Sequence, residues 1–165
     1  MHPGSFTAGA TGDGDETMLT GGCACGTVRY RLTEQPYDTG YCHCRICQRL
    51  SGSDRMVFTT VPRDAYVVET GADRIGRFAS TDFGERSFCG DCGTPLTIHV
   101  AHQDDEIDVT GGSLDDPAVV EPGFHIFACE APPWAVFDTS LPRFDRLRPD
   151  TRGLPPGQTS PGADA

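Results

Sequence analysis

The sequence predicts a mainly β domain of antiparallel sheets with few short helical turns. Glycine (20 residues) and proline (13 residues) together form a fifth of the 165 residues, which favours short strands and many turns over long helices. Short segments also alternate apolar and polar residues with the period of two that a half-buried strand requires. Neither a Rossmann nor a P-loop glycine signature occurs in the sequence.

The clearest strand is 27–33, in which Val28, Tyr30 and Leu32 alternate with polar residues. Six further strands are predicted between Gly, Pro and Asp turns, at 56–61, 65–70, 73–80, 96–100, 106–110 and 124–129. Helical turns are expected in two places only, after Cys44 toward Leu50 and near 115–120.

Both ends of the chain are expected to lie outside the folded domain. Residues 1–18 are rich in Gly, Thr, Ala and Asp, and residues 148–165 are rich in Pro and Gly. Both compositions predict disordered tails, because they cannot bury enough apolar surface to pack. Residues 19–147 are therefore expected to form one domain without an internal boundary.

Charge and composition exclude several functions. The formal net charge of −11 argues against binding to nucleic acid or to an anionic membrane, and the absence of lysine excludes Schiff-base chemistry through that residue. The sequence shows no secretory signal and no apolar run near the roughly 18 residues of a membrane span. We therefore expect a cytoplasmic protein, in which closely spaced cysteines indicate metal binding more than disulfides.

Seven of the eight cysteines fall into three clusters. The clusters are Cys23 and Cys25, then Cys42, Cys44 and Cys47, then Cys89 and Cys92. The last pair, in "FCGDCGTPL", has the glycine-containing form of a zinc knuckle, and no thioredoxin-like βαβ pattern surrounds it. Zinc needs four ligands in a structural site, so these clusters predict at least one such site.

Spacing alone leaves the pairing of the clusters open. Cys44 and Cys47 could join the pair at 89 and 92, or Cys23 and Cys25 could join it instead. The second arrangement is favoured, because it gives one complete four-thiolate site and leaves 42–47 as a three-thiolate site with an open position.

Five motifs resemble, in order and spacing, the glutathione-dependent formaldehyde-activating enzyme family, which includes the centromere protein V-like proteins. They are "GGCACGTVRYRL", "CHCRICQRLSGS", "ERSFCGDCGTPL", "DEIDVTGGSLDDP" and "HIFACEAPPWAVFDTSLPRF". The resemblance implies a β-tent fold of antiparallel sheets built around zinc. It also implies two ligand sets: a structural zinc held by Cys23, Cys25, Cys89 and Cys92, and a catalytic zinc held by Cys42, Cys44 and Cys47.

The expected chemistry follows from a zinc ion with three thiolate ligands. Such a zinc is a poor Lewis acid, so it suits a soft incoming thiol better than water. The family reaction fits this site: glutathione and formaldehyde combine to form S-hydroxymethylglutathione. This reaction forms a carbon–sulfur bond, and in the reverse direction it is a lyase reaction. The predicted function is therefore a zinc-dependent carbon–sulfur lyase that acts on thiol adducts of small aldehydes, with glutathione or another small thiol as co-substrate. The alternative is a non-catalytic, zinc-stabilised β-domain that binds a protein or peptide.

Other residues near the motifs have predicted roles. His43 is a candidate catalytic group, although an outward-pointing spacer is the simpler interpretation, whereas His125 is expected to be a core histidine. Arg45 and Arg49 lie close to the cysteine triplet and could pair with the carboxylates of glutathione, although a solvated helix face is the simpler reading.

Four further positions carry expectations about the second zinc site and its surroundings. Cys129 is expected to be a buried strand cysteine, or else a fourth ligand that closes the second zinc site and abolishes catalysis. Trp134 is expected to anchor the core or a lid. Asp54 and Arg55 depart from the usual small or apolar residues of the family and are expected to border the pocket.

Overall fold

The computed structural model describes residues 18–152. Seven strands form one sheet in the order β10-β3-β4-β9-β8-β7-β6, and three form a second sheet in the order β1-β2-β5. The strands are β1 (Leu19–Gly22), β2 (Arg29–Leu32), β3 (Tyr37–Cys42), β4 (Met56–Pro62), β5 (Tyr66–Thr70), β6 (Ile75–Thr81), β7 (Gly84–Cys89), β8 (Pro95–Val100), β9 (Glu106–Thr110) and β10 (His125–Ile126). Helix α1 spans Arg45–Ser51, and short 3-10 turns occupy Arg63–Ala65, Ala72–Arg74, Gly111–Ser113, Pro117–Val119 and Ala128–Glu130.

The prediction of a mainly β chain with antiparallel sheets is confirmed, with one parallel pair between β10 and β3. The predicted strand at 124–129 is mostly wrong. It shrinks to His125–Ile126, because the chain turns at the next residue, Phe127, which has a left-handed conformation (φ 54°) and leads into the 3-10 turn Ala128–Glu130. β1, β3 and β7 were not predicted. The helical turn after Cys44 is α1, and the one near 115–120 is a 3-10 turn at Pro117–Val119.

The large sheet carries a different apolar cluster on each face. Val61 and Val109 belong to a cluster that includes Tyr30 and Leu32 of β2, so this face packs on the small sheet. Phe58 points the other way, because side chains alternate along a strand, and it packs in a second cluster with all three cysteines of the 42–47 motif. The motif is therefore built into the core of the second face.

The described chain continues past the predicted boundary at 147. Arg148 Nη2 donates to Asp38 Oδ2 over 2.9 Å, and Arg152 Nη1 donates to Glu106 Oε1 over 2.7 Å. Residues 148–152 are thus tied to β3 and β9. The rest of both predicted tails, 1–17 and 153–165, lies outside the described residues. Within residues 18–152, no helix has the length and apolar character needed to cross a membrane.

Candidate metal centres

The first group of cysteines joins two distant segments. Cys23 and Cys25 follow β1, and Cys89 and Cys92 lie at the end of β7. All four sulfur atoms lie within 4.8 Å of one another, with Cys23 Sγ 3.4 Å from Cys25 Sγ and Cys25 Sγ 3.8 Å from Cys89 Sγ. Four sulfurs placed tetrahedrally at the usual zinc–sulfur distance would be about 3.8 Å apart. The donor set therefore fits a four-thiolate zinc, and we call it the four-cysteine site.

Hydrogen-bond donors surround the four-cysteine site. The Val28 amide donates to Cys23 Sγ over 3.2 Å, and Thr94 Oγ1 lies 3.1 Å from Cys92 Sγ. The hydrogen bond from Thr94 is the largest cause that lowers the pKa of Cys92, to about 6. Gly93 makes the tight turn possible, since its φ of 77° disfavours a side chain. These contacts stabilise thiolates, which is the form that binds zinc.

The second group is Cys42, Cys44 and Cys47, which we call the three-cysteine site. Cys42 ends β3, Cys44 caps the N-terminus of α1, and Cys47 lies in the first turn of that helix. All three are buried and their sulfurs lie within 4.8 Å of one another, with no fourth His, Cys or carboxylate from residues 18–152 in the group. Hydrogen bonds from Cys42 and Cys47 lower the pKa of Cys44 to about 2. The site fits a metal held by three protein ligands, which is the form of catalytic zinc sites.

A cavity of about 160 Å³ opens at the three-cysteine site. Its apolar wall comes from both sheet and loops, namely Phe58, Phe83, Ile98, Val100, Phe124, Ile126, Phe127 and Leu147. Its charged and polar lining includes Asp38, Thr60, Arg86, His102, Gln103, Asp108, Arg148, Thr151 and Arg152. An apolar pocket with a few convergent polar groups is the usual form of a small-molecule site.

Arg86 connects β7 to the three-cysteine site. Its side chain is buried, Nη2 donates to Cys47 Sγ over 3.6 Å, and Nε donates to Ser80 Oγ over 3.2 Å. Its Nη1 has no hydrogen-bond partner among the described residues. A buried guanidinium offsets the negative charge of clustered thiolates, so Arg86 stabilises the deprotonated cysteines, which are the form that binds a metal.

Replacing Arg86 with Gln is expected to weaken metal retention at the three-cysteine site. Loss of an outer partner of this kind costs roughly 10–100-fold in metal affinity. Competition with a chromophoric chelator, followed by metal analysis, would measure the effect. The four-cysteine site serves as the internal control and should keep its metal; equal loss from both sites would mean that the variant disturbs the fold instead.

The C-terminal strap, which we define as residues 144–152, covers the cavity. It supplies Leu147, Arg148, Thr151 and Arg152 to the lining. Its attachment is ionic and aromatic, because Arg148 pairs with Asp38 and its guanidinium lies 4.2 Å from the centre of the Phe124 ring. Arg152 adds ion pairs with Asp105 and Glu106. The strap therefore places two guanidinium groups at the cavity.

The structure does not bring His43 into the cavity. The His43 and His125 side chains are fully buried, with His43 Nε2 3.0 Å from His125 Nδ1, and both rings pack against Phe137. Burial is the main cause that lowers the pKa of each histidine, so both are neutral near pH 7. His125 is a core residue, as predicted, and His43 joins it there.

Arg45 and Arg49 are also absent from the cavity lining. Both are exposed on α1, and the Arg45 backbone amide donates to Glu130 Oε2 over 2.8 Å. The arginines that line the cavity are Arg86, Arg148 and Arg152, which come from distant parts of the chain. Arg86 lies in the motif "ERSFCGDCGTPL", whereas Arg148 and Arg152 lie outside the five motifs. Spacing did not place any of the three beside residues 42–47, because their proximity arises only on folding.

The remaining expectations require corrections. Cys129 is not a buried strand residue: it is exposed in a 3-10 turn, its thiol donates to the Asp145 carbonyl over 3.0 Å, and it does not belong to the three-cysteine group. Trp134 is neither a core residue nor part of the cavity lining, since the residue is 71% exposed and lies outside the set that lines the cavity. Asp54 and Arg55 do not line the cavity; the Arg55 guanidinium instead lies over the Tyr41 ring.

The chain is similar to several known proteins. A curated protein of Halomonas elongata, provisionally named a glutathione-dependent formaldehyde-activating enzyme, is 30% identical over 87 residues, which cover 49% of this chain and 55% of that protein. An uncharacterised lyase of Schizosaccharomyces pombe is 32% identical over 76 residues, which cover 46% of this chain and 53% of that protein. The chain thus spans about half the length of the curated relatives it matches.

A solved structure and a family model also match this chain. A crystal structure of a Rhodobacter sphaeroides protein has a TM-score of 0.52 and 22% sequence identity, covering 63% of this chain and 92% of that chain. This likeness concerns the fold alone. The family model described as glutathione-dependent formaldehyde-activating enzyme matches residues 18–130, which include both cysteine sites. On this evidence the chain belongs to the glutathione-dependent formaldehyde-activating enzyme family.

Proposed function

We propose that this protein is a zinc-dependent carbon–sulfur lyase that acts on thiol adducts of small aldehydes, such as S-hydroxymethylglutathione. One observation carries the proposal: three buried thiols, grouped within 4.8 Å, line a cavity that can admit a small molecule. The family and the lyase name of one relative support a reaction of this class. A cytoplasmic location remains a prediction.

Each cysteine site has its own proposed role. Cys23, Cys25, Cys89 and Cys92 would hold a structural zinc, since they provide the complete four-thiolate set. Cys42, Cys44 and Cys47 would hold the catalytic zinc. When bound there, zinc supplies a soft acceptor that favours the thiolate form of an incoming thiol.

The residues of the cavity provide orientation and exclude water. The rings of Phe58 and Phe124 belong to the apolar wall beside the sulfurs, so a small aldehyde would be shielded from solvent there. Arg148 and Arg152, on the strap, take the role first expected of Arg45 and Arg49: their guanidinium groups can pair with the carboxylates of a peptide-like thiol.

In the alternative of a non-catalytic binding domain, the second zinc would be closed by Cys129 or absent. The Cys129 thiol instead donates to the carbonyl of Asp145 and stays outside the three-cysteine group. Among the described residues, no fourth His, Cys or carboxylate joins the three cysteines. The open three-thiolate site therefore favours the enzyme over a binding domain whose second site is closed by Cys129.

The test is exchange NMR of formaldehyde with glutathione, in the presence of the zinc-loaded full chain. We expect the protein to accelerate exchange between free and adduct carbon in proportion to its concentration. Cys129→Ser is the matched cysteine control and should retain the rate, because Cys129 lies outside both sites. No acceleration by fully loaded protein, with glutathione or with other small thiols, would refute the proposal.

A further inference from the structure

Asp108 lies in a continuous row of residues across the cavity face of the large sheet. Its strand β9 is paired on both sides, with Asp108 opposite Thr60 of β4 and opposite Ile98 of β8. Ile98 is in turn opposite Arg86 of β7. Residues directly opposite in a sheet share one face. Asp108 therefore shares the cavity with Arg86, whose guanidinium contacts the three-cysteine site.

Asp108 differs from the other carboxylates near the cavity in having no ion pair among the described residues. Asp38 is paired with Arg148, and Glu106 is paired with Arg152 and accepts a hydrogen bond from Tyr37 Oη over 2.6 Å. Asp108 accepts one hydrogen bond, from Thr60 Oγ1 over 2.7 Å. Its half-buried carboxyl is thus the one among these three that remains available to exchange a proton with a bound molecule.

The apolar surroundings also adjust the acidity of this carboxyl. Burial is the largest cause that raises the pKa of Asp108, to about 6, whereas the hydrogen bond from Thr60 lowers it. The carboxyl is therefore mostly ionised at pH 7 yet close enough to its midpoint to take up and release a proton. Proton transfer is most efficient when the pKa of the catalytic group lies near the working pH.

We propose that Asp108 is the proton-transfer residue of this site, taking a proton from the incoming thiol and delivering it to the aldehyde oxygen. In the synthetic direction, the carboxylate of Asp108 accepts the thiol proton, and the sulfur electron pair forms the new carbon–sulfur bond. The π electrons of the carbonyl move to oxygen, which then takes the same proton from Asp108. In the lyase direction each step reverses, so no proton, oxidant or reductant is consumed. This inference rests on the proposed function.

The test compares Asp108→Asn with wild type in the exchange assay. Asn preserves the size of the side chain and can accept the hydrogen bond from Thr60, but it cannot take up the proton. We expect the exchange rate to fall about 10²–10⁴-fold, which is the usual contribution of general acid–base catalysis. Zinc content and the apparent affinity for glutathione should stay within about threefold of wild type. Asp73→Asn, the same change at an exposed 3-10 turn, is the matched control and should keep the full rate.

A second variant tests the same inference through the pH profile. The rate should fall as the pH decreases through the pKa of Asp108, because protonation removes the acceptor. Thr60→Val removes the hydrogen bond that lowers this pKa, so the midpoint should move to higher pH. The charged groups that face Asp108 are kept in this variant, namely Arg86 on β7, Asp38 on β3 and Glu106 on β9, together with His102, Arg148 and Arg152 around the cavity.

Carbon-13 NMR of carboxyl-labelled aspartate provides a readout that does not depend on activity. Asp108→Asn should remove one resonance that titrates near pH 6, and Thr60→Val should shift it upward. If the Asp108→Asn variant does not fold, the shift of the midpoint of the pH–rate profile in Thr60→Val tests the inference instead. Acceleration by wild type with an undiminished rate in Asp108→Asn would overturn the role of Asp108 alone. No acceleration by wild type would overturn both proposals.

Discussion

Replacing Cys44 with Ser is expected to abolish the acceleration of thiol–aldehyde exchange and to lower the zinc content from two ions per chain to one. Cys44 belongs to the three-cysteine site, and its pKa is lowered to about 2 by hydrogen bonds from its two partners. The thiolate is the form that binds zinc, so this change removes the most acidic ligand. Two remaining thiols do not make a stable zinc site.

The substitution is chosen so that the helix survives it. Cys44 caps α1, and its side chain accepts a hydrogen bond from the Cys47 amide over 3.4 Å. Serine is among the best N-cap residues, so α1 should begin at the same place and the far-ultraviolet circular dichroism should be unchanged. Metal analysis and exchange NMR on the same sample measure both outcomes. Full activity with one zinc per chain would show that the three-cysteine site is not where the chemistry occurs.

Much of the architecture could be predicted because hydrophobic alternation is local. The segment with Tyr30 and Leu32 forms β2, and Ile107 and Val109 of β9 follow the same period in the same apolar cluster. β1, β3 and β7 were missed because tertiary pairing overrides weak local signals. β1 contains two glycines, β3 contains Asp38 in a positive-φ conformation, and β7 carries the buried Arg86 in a largely polar segment.

The spacing of the cysteines in the sequence does not determine which of them share a site. The short pairs were evident in the sequence, but spacing allowed Cys89 to join either Cys23 or Cys44. The sheet settles the grouping, since β7 ends next to the loop after β1 and brings Cys89 Sγ within 3.8 Å of Cys25 Sγ. Zinc itself remains a proposal based on this donor set.

The lining of the cavity could not be predicted from the neighbourhood of the motif. Arg45 and Arg49 are close to the cysteines in sequence but point away from the cavity, because a short helix exposes one of its sides. Arg86, Asp108 and Arg148 are distant in sequence and meet only through strand pairing and the strap. The residues that line the cavity therefore come from the register of the sheet and from the strap, and not from proximity to the cysteine motif along the chain.

Replacing Cys89 with Ser is expected to unfold the protein under conditions in which wild type is stable. Cys89 is fully buried at the end of β7, and its backbone amide donates to the Thr94 carbonyl over 2.9 Å. The four-cysteine site joins the small sheet to the large one, because Cys23 follows β1 and Cys89 ends β7. Binding of a structural zinc contributes roughly 10–16 kcal/mol in small zinc domains. This is comparable to the whole unfolding free energy of a typical domain, about 5–15 kcal/mol.

Thermal unfolding followed by circular dichroism would measure the loss, and addition of a strong chelator to wild type should reproduce it. Cys129→Ser and Cys44→Ser are the matched controls, since they remove a thiol outside the four-cysteine site and should keep the cooperative transition. The contrast between Cys44 and Cys89 separates the two sites: one variant should be folded and inactive, the other unfolded. A Cys89→Ser protein that melts within a few degrees of wild type would mean that packing of the two sheets, and not the metal, maintains this fold.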